Sequence, residues 1–355
     1  LNLGSTALAN SFIEKKEYFK SEKKYPLKLY LCTSCKLVQV FHSVKPSEFF
    51  VNYDYLSGAS STWIKHCKTF TKKIITKFSL NINNGSIIEI ASNDGVLIEN
   101  FVKKKFQCLG IEPSKIAHNI AKKKGIKSIN KFFNSKLINK IKNKKPQLII
   151  ANNVIAHVKN INNFVHTLSK ISNENTIISI EFPYVLNLRK KLQFDTVYHE
   201  HHYYYSLESI SKLLNRHNLE IFDVEQISIH GGSFRIFVKT NKSKKKISSR
   251  YKKLLNYEKR IKLNTLKFYK DYQKKVNQVK KNSIDLLNQL NKKNKKVHAY
   301  GAAAKGNTFL NFCKIKNNKI KYIYELNTSK VNKFLPGSHI KILSHNEIKI
   351  KKPDY

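Results

Sequence analysis

Ser86-Ile87-Ile88-Glu89-Ile90-Ala91-Ser92-Asn93-Asp94-Gly95 is a short apolar run that breaks into small polar residues and a glycine. Helix-patterned residues 96–104 follow it directly. A strand that ends in such a turn and feeds a helix is the opening unit of a doubly wound sheet, in which ligands sit at the carboxyl ends of the strands. Working outward, further strand-like runs are Cys108–Ile111, Lys127–Ile129, Gln147–Ile150 and Thr176–Ile180. Helical segments fall between them, near 114–124, 135–142, 161–171 and 206–217. Two last strands, Leu219–Ile227 and Ser233–Val238, are joined only by the turn at His230-Gly231-Gly232, and so short a link forces the final strand antiparallel.

Gly95 lets the backbone approach a ligand at the first turn. Glu112 closes the second strand in Gly110-Ile111-Glu112-Pro113, where a carboxylate can accept both hydroxyls of a ribose. The G-x-G-x-x-G fingerprint of pyrophosphate binders is absent, which disfavours a dinucleotide. S-adenosylmethionine carries no phosphate and does not need that turn. These features predict an α/β chain with the class I SAM-methyltransferase Rossmann-like sheet and its antiparallel terminal hairpin.

The fourth strand runs into Asn152-Asn153-Val154-Ile155-Ala156-His157 on the same edge, where His157 reads equally as a buried structural residue or a ligand contact. The fifth leads to Tyr198-His199-Glu200-His201. Two imidazoles, a carboxylate and a phenol in four residues are costly to bury without purpose. His-Glu-His lacks the i, i+4 pairing of helical zinc sites, so a general base is the better reading, helped by a histidine pKa near ~6.5.

Residues 1–50 hold short extended runs around Cys32-Thr33-Ser34-Cys35, a C-x2-C knuckle that is half of a zinc ribbon. The chain starts at Leu1 and contains 0 Met, from which we expect a piece trimmed at both ends, with the second cysteine pair upstream. An amphipathic helix is predicted over 61–78. The glycine-free stretch 241–296 reads as a helical connector with a stripe at Tyr269, Tyr272, Val276, Val279, Ser283, Leu286 and Leu290. A second βαβ-like unit follows over 297–355, with Gly301-Ala-Ala-Ala-Lys305-Gly306-Asn307 as its turn. The five cysteines, odd in number and with one close pair, suit a reducing, cytoplasmic setting. No apolar run approaches the roughly 20 residues of a membrane span.

The net charge of +44 invites a nucleic-acid partner. Only five of the 67 basic residues are Arg, however, and the lysines are spread along the chain together with Asn and Ile. That distribution reads as composition bias on solvated faces and disfavours nucleic acid.

Taken together, the Cys32/Cys35 knuckle, Tyr53–Ser60, Glu89–Gly95, Asn153–His157, Tyr198–His201, His230–Ser233 and Tyr300–Asn307 resemble the sugar C-methyltransferase family over nearly the whole chain. That family methylates a ring carbon of nucleotide-linked keto-deoxysugars. The resemblance implies a partial zinc-ribbon-like domain (1–50, Zn2+ through Cys32 and Cys35), a SAM-dependent methyltransferase domain (51–240) and a C-terminal Rossmann-like domain closing over a nucleotide-diphosphate sugar. It implies cofactor contacts from Glu89, Ser92, Asn93, Asp94, Gly95, Glu112, Asn153 and His157. Substrate contacts would come from Tyr53, Tyr55, Ser57, His230, Ser233, Lys305 and Asn307, with Lys305 as counter-charge to the diphosphate. His201 or Glu200 would remove the proton beside the ketone while Tyr198 positions the sugar. One departure, Glu325-Leu326-Asn327-Thr328 in place of an Asp-x-Asn-Pro segment, bears on substrate detail. Two other readings remain at this point, a SAM-dependent O- or N-methyltransferase of RNA or another small molecule, and a non-catalytic ligand-binding scaffold.

Overall fold

The computed structural model describes residues 1–41, 44 and 56–355. Tyr53 and Tyr55 lie outside the described residues. In chain order the strands are β1 (Asn2–Thr6), β2 (Tyr25–Leu31), β3 (Val38–Val40), β4 (Ser86–Ile90), β5 (Cys108–Ile111), β6 (Ser128–Ile129) and β7 (Pro146–Asn152). They continue with β8 (Ile177–Pro183), β9 (Tyr203–Tyr204), β10 (Leu219–Ile227), β11 (Ser233–Thr240), β12 (Ala299–Tyr300), β13 (Tyr322–Glu325) and β14 (Lys341–Ser344).

The central sheet has the order β10-β11-β8-β7-β4-β5-β6. β4 to β8 run parallel, and β11 inserts antiparallel between β8 and β10. The central position of β4 explains its continuous apolar run, because all five of its residues are buried between helical layers. Below one face lies the helix Ser61–Phe78. Ser60 caps its N-terminus by accepting from the Trp63 amide, and Trp63, Cys67, Phe70 and Ile74, spaced four, three and four, pack on Ile87, Leu148, Ile150 and Phe237. A buried ionic network locks this helix to the hairpin. The Arg235 guanidinium, 2% exposed, donates to Glu181 (2.8 Å) and Glu225 (3.2 Å) and lies over Phe70, while Lys77 reaches Asp223 (2.7 Å) and Glu225 (2.9 Å). Removing one member would strand a buried charge, the costly way to break such a network.

Among the described residues, the N-terminal strands do not form a sheet of their own. They continue through β3 into β9 of the middle domain, in the order β1-β2-β3-β9. The N-terminal region also pairs with the C-terminal region through Ile13 and Phe334. The connector forms helices Ser249–Arg260, Leu266–Tyr269 and Tyr272–Lys292. Its predicted stripe packs on the core at Tyr269, Tyr272, Val276, Val279 and Leu290 and misses it at Leu286. Leu286 is 56% exposed and Leu287 is buried instead, because an α-helix of 3.6 residues per turn walks away from a seven-residue repeat. The C-terminal sheet is parallel, β12-β13-β14.

Candidate active site

The turn after β4 places three residues at positive φ: Ala91 (55°), Asn93 (50°) and Gly95 (80°). Alternating left-handed positions curl the backbone into a cradle, although only one of the three is glycine. Above it the Glu112 carboxylate accepts the Asn93 amide (2.8 Å) and the Ser114 amide (2.7 Å), which leaves one lone pair on each oxygen. Glu89 Oε2, Ser92 Oγ, Asp94 Oδ1 and both amide atoms of Asn152 are buried without a hydrogen-bond partner among the described residues. Buried polar atoms are normally satisfied, so this grouping marks room for a ligand. Burial holds the Glu89 carboxyl well above the usual carboxylate range, reinforced by Glu112 and Asp94, and burial also raises Glu112. Carboxyl groups facing one cradle, two of them pushed up by burial, suit a ligand with amino groups and hydroxyls rather than phosphates. That is the chemistry of S-adenosylmethionine.

Residues 57–59 lie directly on this cradle. The Ser57 amide donates to Asn93 Oδ1 (2.9 Å) and the Gly58 amide to Asp94 Oδ2 (3.1 Å). A Cβ at Gly58 would meet Asp94 Oδ2 at 2.5 Å, so a side chain there would push the Asp94 carboxyl out of the cradle. Ser57, expected at the substrate, thus borders the cofactor turn. Asn153 has φ 55° and donates its amide to the Glu181 carbonyl (2.7 Å) at the end of β7. Its neighbour Asn152 carries the unmatched side chain, which the sequence reading passed over.

His157 sits against the Tyr198–His201 cluster, its ring 4.6 Å from that of His201 at 70°. His201 Nδ1 lies 3.0 Å from the Thr196 carbonyl, which can only accept, so Nδ1 carries the proton. Nε2 is then an acceptor, and the Tyr198 hydroxyl donates to it at 2.8 Å. Burial keeps both imidazoles neutral: His157 is pushed down to about 4, and His201 lies well below its ordinary value, with His157 adding to the effect. Glu200 is 3% exposed and burial raises its carboxyl to about 7.

The helix Ala304–Cys313 docks beside this cluster, with Phe309 and Phe312 around the Phe194 ring at 6.1 and 5.2 Å. Lys305 comes close enough for its charge to act on Asp195 and His201, which places it at the loop that carries Tyr198–His201. Asn307 is 1% exposed and spends its amide on the Ala9 carbonyl (3.1 Å). Ser233 is buried at the start of β11, its hydroxyl donating to the Ile229 carbonyl (3.3 Å). The backbone of His230 forms part of the turn Ile229–Gly231, which Gln193 (2.8 Å to Gly231) and Asn187 (2.9 Å to Gly232) tie to the same loop region.

Cys32 and Cys35 face each other in a knuckle. The Cys32 thiol is held below its ordinary pKa, chiefly by hydrogen bonding from the Cys35 backbone. Among the described residues no group of three or more His, Cys, Asp or Glu could hold a metal, so this pair supplies two of the four ligands a structural zinc takes.

Comparison with known proteins agrees with this geometry. Residues 63–224 match the family "Methyltransferase domain", residues 228–355 the family "C-methyltransferase C-terminal domain", and residues 1–50 the family "Putative zinc binding domain". The C-terminal match begins inside the hairpin, although β11 belongs to the central sheet. The chain is 25% identical to C-methyltransferase NovU of Streptomyces niveus, over 100% of this chain and 85% of that protein. Similar solved structures include a SAM-dependent methyltransferase from Clostridium acetobutylicum (15% identity, 50% of this chain and 92% of that one, TM-score 0.40). Another is the SAM-bound magnesium protoporphyrin IX methyltransferase of Synechocystis (11% identity, 50% and 81%, TM-score 0.38). Strand order, cradle and domain matches define a SAM-dependent methyltransferase of class I fold. With its three matched domains in this order, the chain is similar to C-methyltransferases along its whole length. Among the described residues no helix is long and apolar enough to cross a membrane.

Proposed function

We propose that this methyltransferase alkylates a ring carbon next to the ketone of a nucleotide-diphosphate-linked keto-deoxysugar. The observation that carries this reading is the Tyr198–His201–Thr196 chain, a neutral imidazole whose free nitrogen is already aimed at a phenol. A carbon acid beside a ketone must lose a proton before it can attack a sulfonium, and this cluster supplies a placed base for that step. Tyr198, less buried than His201, takes the proton from carbon on its oxygen as its own hydroxyl proton moves to His201 Nε2, which ends as an imidazolium. Lys305 stabilises negative charge on the ketone oxygen, and the Glu89–Gly95 cradle with Glu112 and Asn152 holds the cofactor. S-adenosylmethionine, when bound, supplies an electrophilic methyl group. The relationship to C-methyltransferase NovU supports a carbon acceptor. The carboxylate lining of the cofactor cradle, where Lys124 is paired with Asp94 (3.6 Å), argues against an RNA-facing edge.

Solvent exchange tests this reading. In D2O without methyl donor, the protein is expected to wash deuterium into the carbon beside the ketone of its keto-sugar substrate. His201→Ala is expected to slow that step by about 100-fold or more, the usual worth of a general base. Methyl transfer with no exchange in the intact protein, or exchange unchanged in His201→Ala, would contradict it.

A further inference from the structure

The N-terminal segment touches the Tyr198–His201 cluster and then runs along the C-terminal domain. Glu22 accepts from the Gly337 amide (2.9 Å) and pairs with His339 (2.7 Å), and Ile13 exchanges backbone bonds with Phe334 (2.9 Å each). Ala9 is buried and its carbonyl receives the Asn307 amide (3.1 Å), on the helix that also carries Lys305. The next residue, Asn10, donates from Nδ2 to Glu200 Oε1 at 2.6 Å, a contact across 190 positions of sequence. Glu200 is 3% exposed, and its other oxygen has no partner among the described residues.

We infer that Asn10 is a positioning residue: its amide fixes the Glu200 carboxylate, so the catalytic cluster is complete only when the N-terminal segment is strapped to the C-terminal domain. A buried carboxylate is free to turn about its last bond unless a donor holds it, and a hydrogen bond to a charged group is worth roughly twice a neutral one. Asn10 supplies that donor from outside the methyltransferase domain. One hydrogen bond thereby ties the orientation of Glu200 to docking of Ala9 on Asn307. The inference rests on the reading of the Tyr198–His201 cluster, in which Glu200 lies, as the active site.

The test is a carbon-13 NMR titration of the glutamate carboxyls of the full chain, with Glu200 assigned by its loss in Glu200→Gln. The donor favours the ionised carboxylate, so Asn10→Ala is expected to move the Glu200 midpoint upward by about one pH unit or more. Asn10→Asp, close in size, should move it the same way and further. The acid limb of the kcat profile should follow, with kcat reduced about 10- to 100-fold and KM within about threefold. In the Glu200→Gln background, Asn10→Ala should add little. An unchanged midpoint in both variants overturns the inference, including the case where kcat falls without it, which would be a structural effect alone. The titration needs no substrate. A shifted midpoint in a protein that methylates no keto-sugar would therefore overturn the functional proposal and leave the Asn10–Glu200 coupling standing. If Asn10→Ala does not fold, Asn10→Asp decides.

Discussion

Two strand–turn–helix units of this molecule are built alike and used differently. In each, a carboxylate at the end of the second strand accepts an amide from the first turn and another two residues beyond itself. Glu112 takes Asn93 (2.8 Å) and Ser114 (2.7 Å), while Glu325 takes Ala302 (2.9 Å) and Asn327 (3.0 Å). Around Glu112 the turn keeps buried atoms of Ser92 and Asp94 without protein partners among the described residues. Around Ala302 the groups are spent within the protein: its carbonyl on Lys330 (2.9 Å), and the Asn307 amide on Ala9 (3.1 Å). A shared backbone plan therefore does not fix the use of a unit. What distinguishes the two is which buried polar atoms are left over.

The largest expected contrast lies between the two carboxylates. Glu112→Ala should weaken S-adenosylmethionine binding by about 100-fold, since it removes a charged acceptor and releases the Asn93 amide. Glu325→Ala should leave it within about threefold. Calorimetric titration of both variants checks this, and equal losses would erase the distinction.

Titration separates the two units next. The neutral His157, with a pKa near 4 against an unfolded value of 6.5, binds its proton more readily in the unfolded chain. Stability is therefore complete above about pH 6.5 and lost as pH falls toward 4, by on the order of 1–2 kcal/mol at pH 5. Denaturant unfolding at pH 7.5 and 5 should show this slope flattened in His157→Gln. His298→Gln, at the more open C-terminal sheet, should change it little.

Two smaller effects follow. Asn307→Ala leaves the buried Ala9 carbonyl unmatched and should cost about 1–2 kcal/mol of stability with S-adenosylmethionine affinity unchanged, as thermal unfolding and titration would show. Ala91→Gly relieves a non-glycine residue at φ 55° and should stabilise the chain by up to about 1 kcal/mol in the same unfolding assay.

Much of the first unit was legible because its causes are local. The helix Ser61–Phe78 and the strand Leu219–Ile227 fall where periodicity places them, and Glu112 is found by counting from the turn. The clustered residues Tyr198, Glu200 and His201 announce chemistry by composition. β14 escaped notice, since four residues beside a turn carry too little pattern. Asn307 reads as a ligand contact at a helix start, yet its partner is 298 positions away. Asn10 gives no local signal at all. Its meaning comes from the strap that carries it to Glu200, a long-range arrangement that periodicity does not encode.

The central claim is that the Tyr198–His201 cluster serves methyl transfer to carbon. Incubating the protein with carbon-13 methyl-labelled S-adenosylmethionine and a panel of nucleotide-linked keto-deoxysugars, then reading the product by proton–carbon NMR, tests it most directly. The account predicts a labelled methyl bonded to the ring carbon beside the ketone, lost in His201→Ala. A label on oxygen or nitrogen, or no transfer from the intact protein to any keto-sugar, would contradict it.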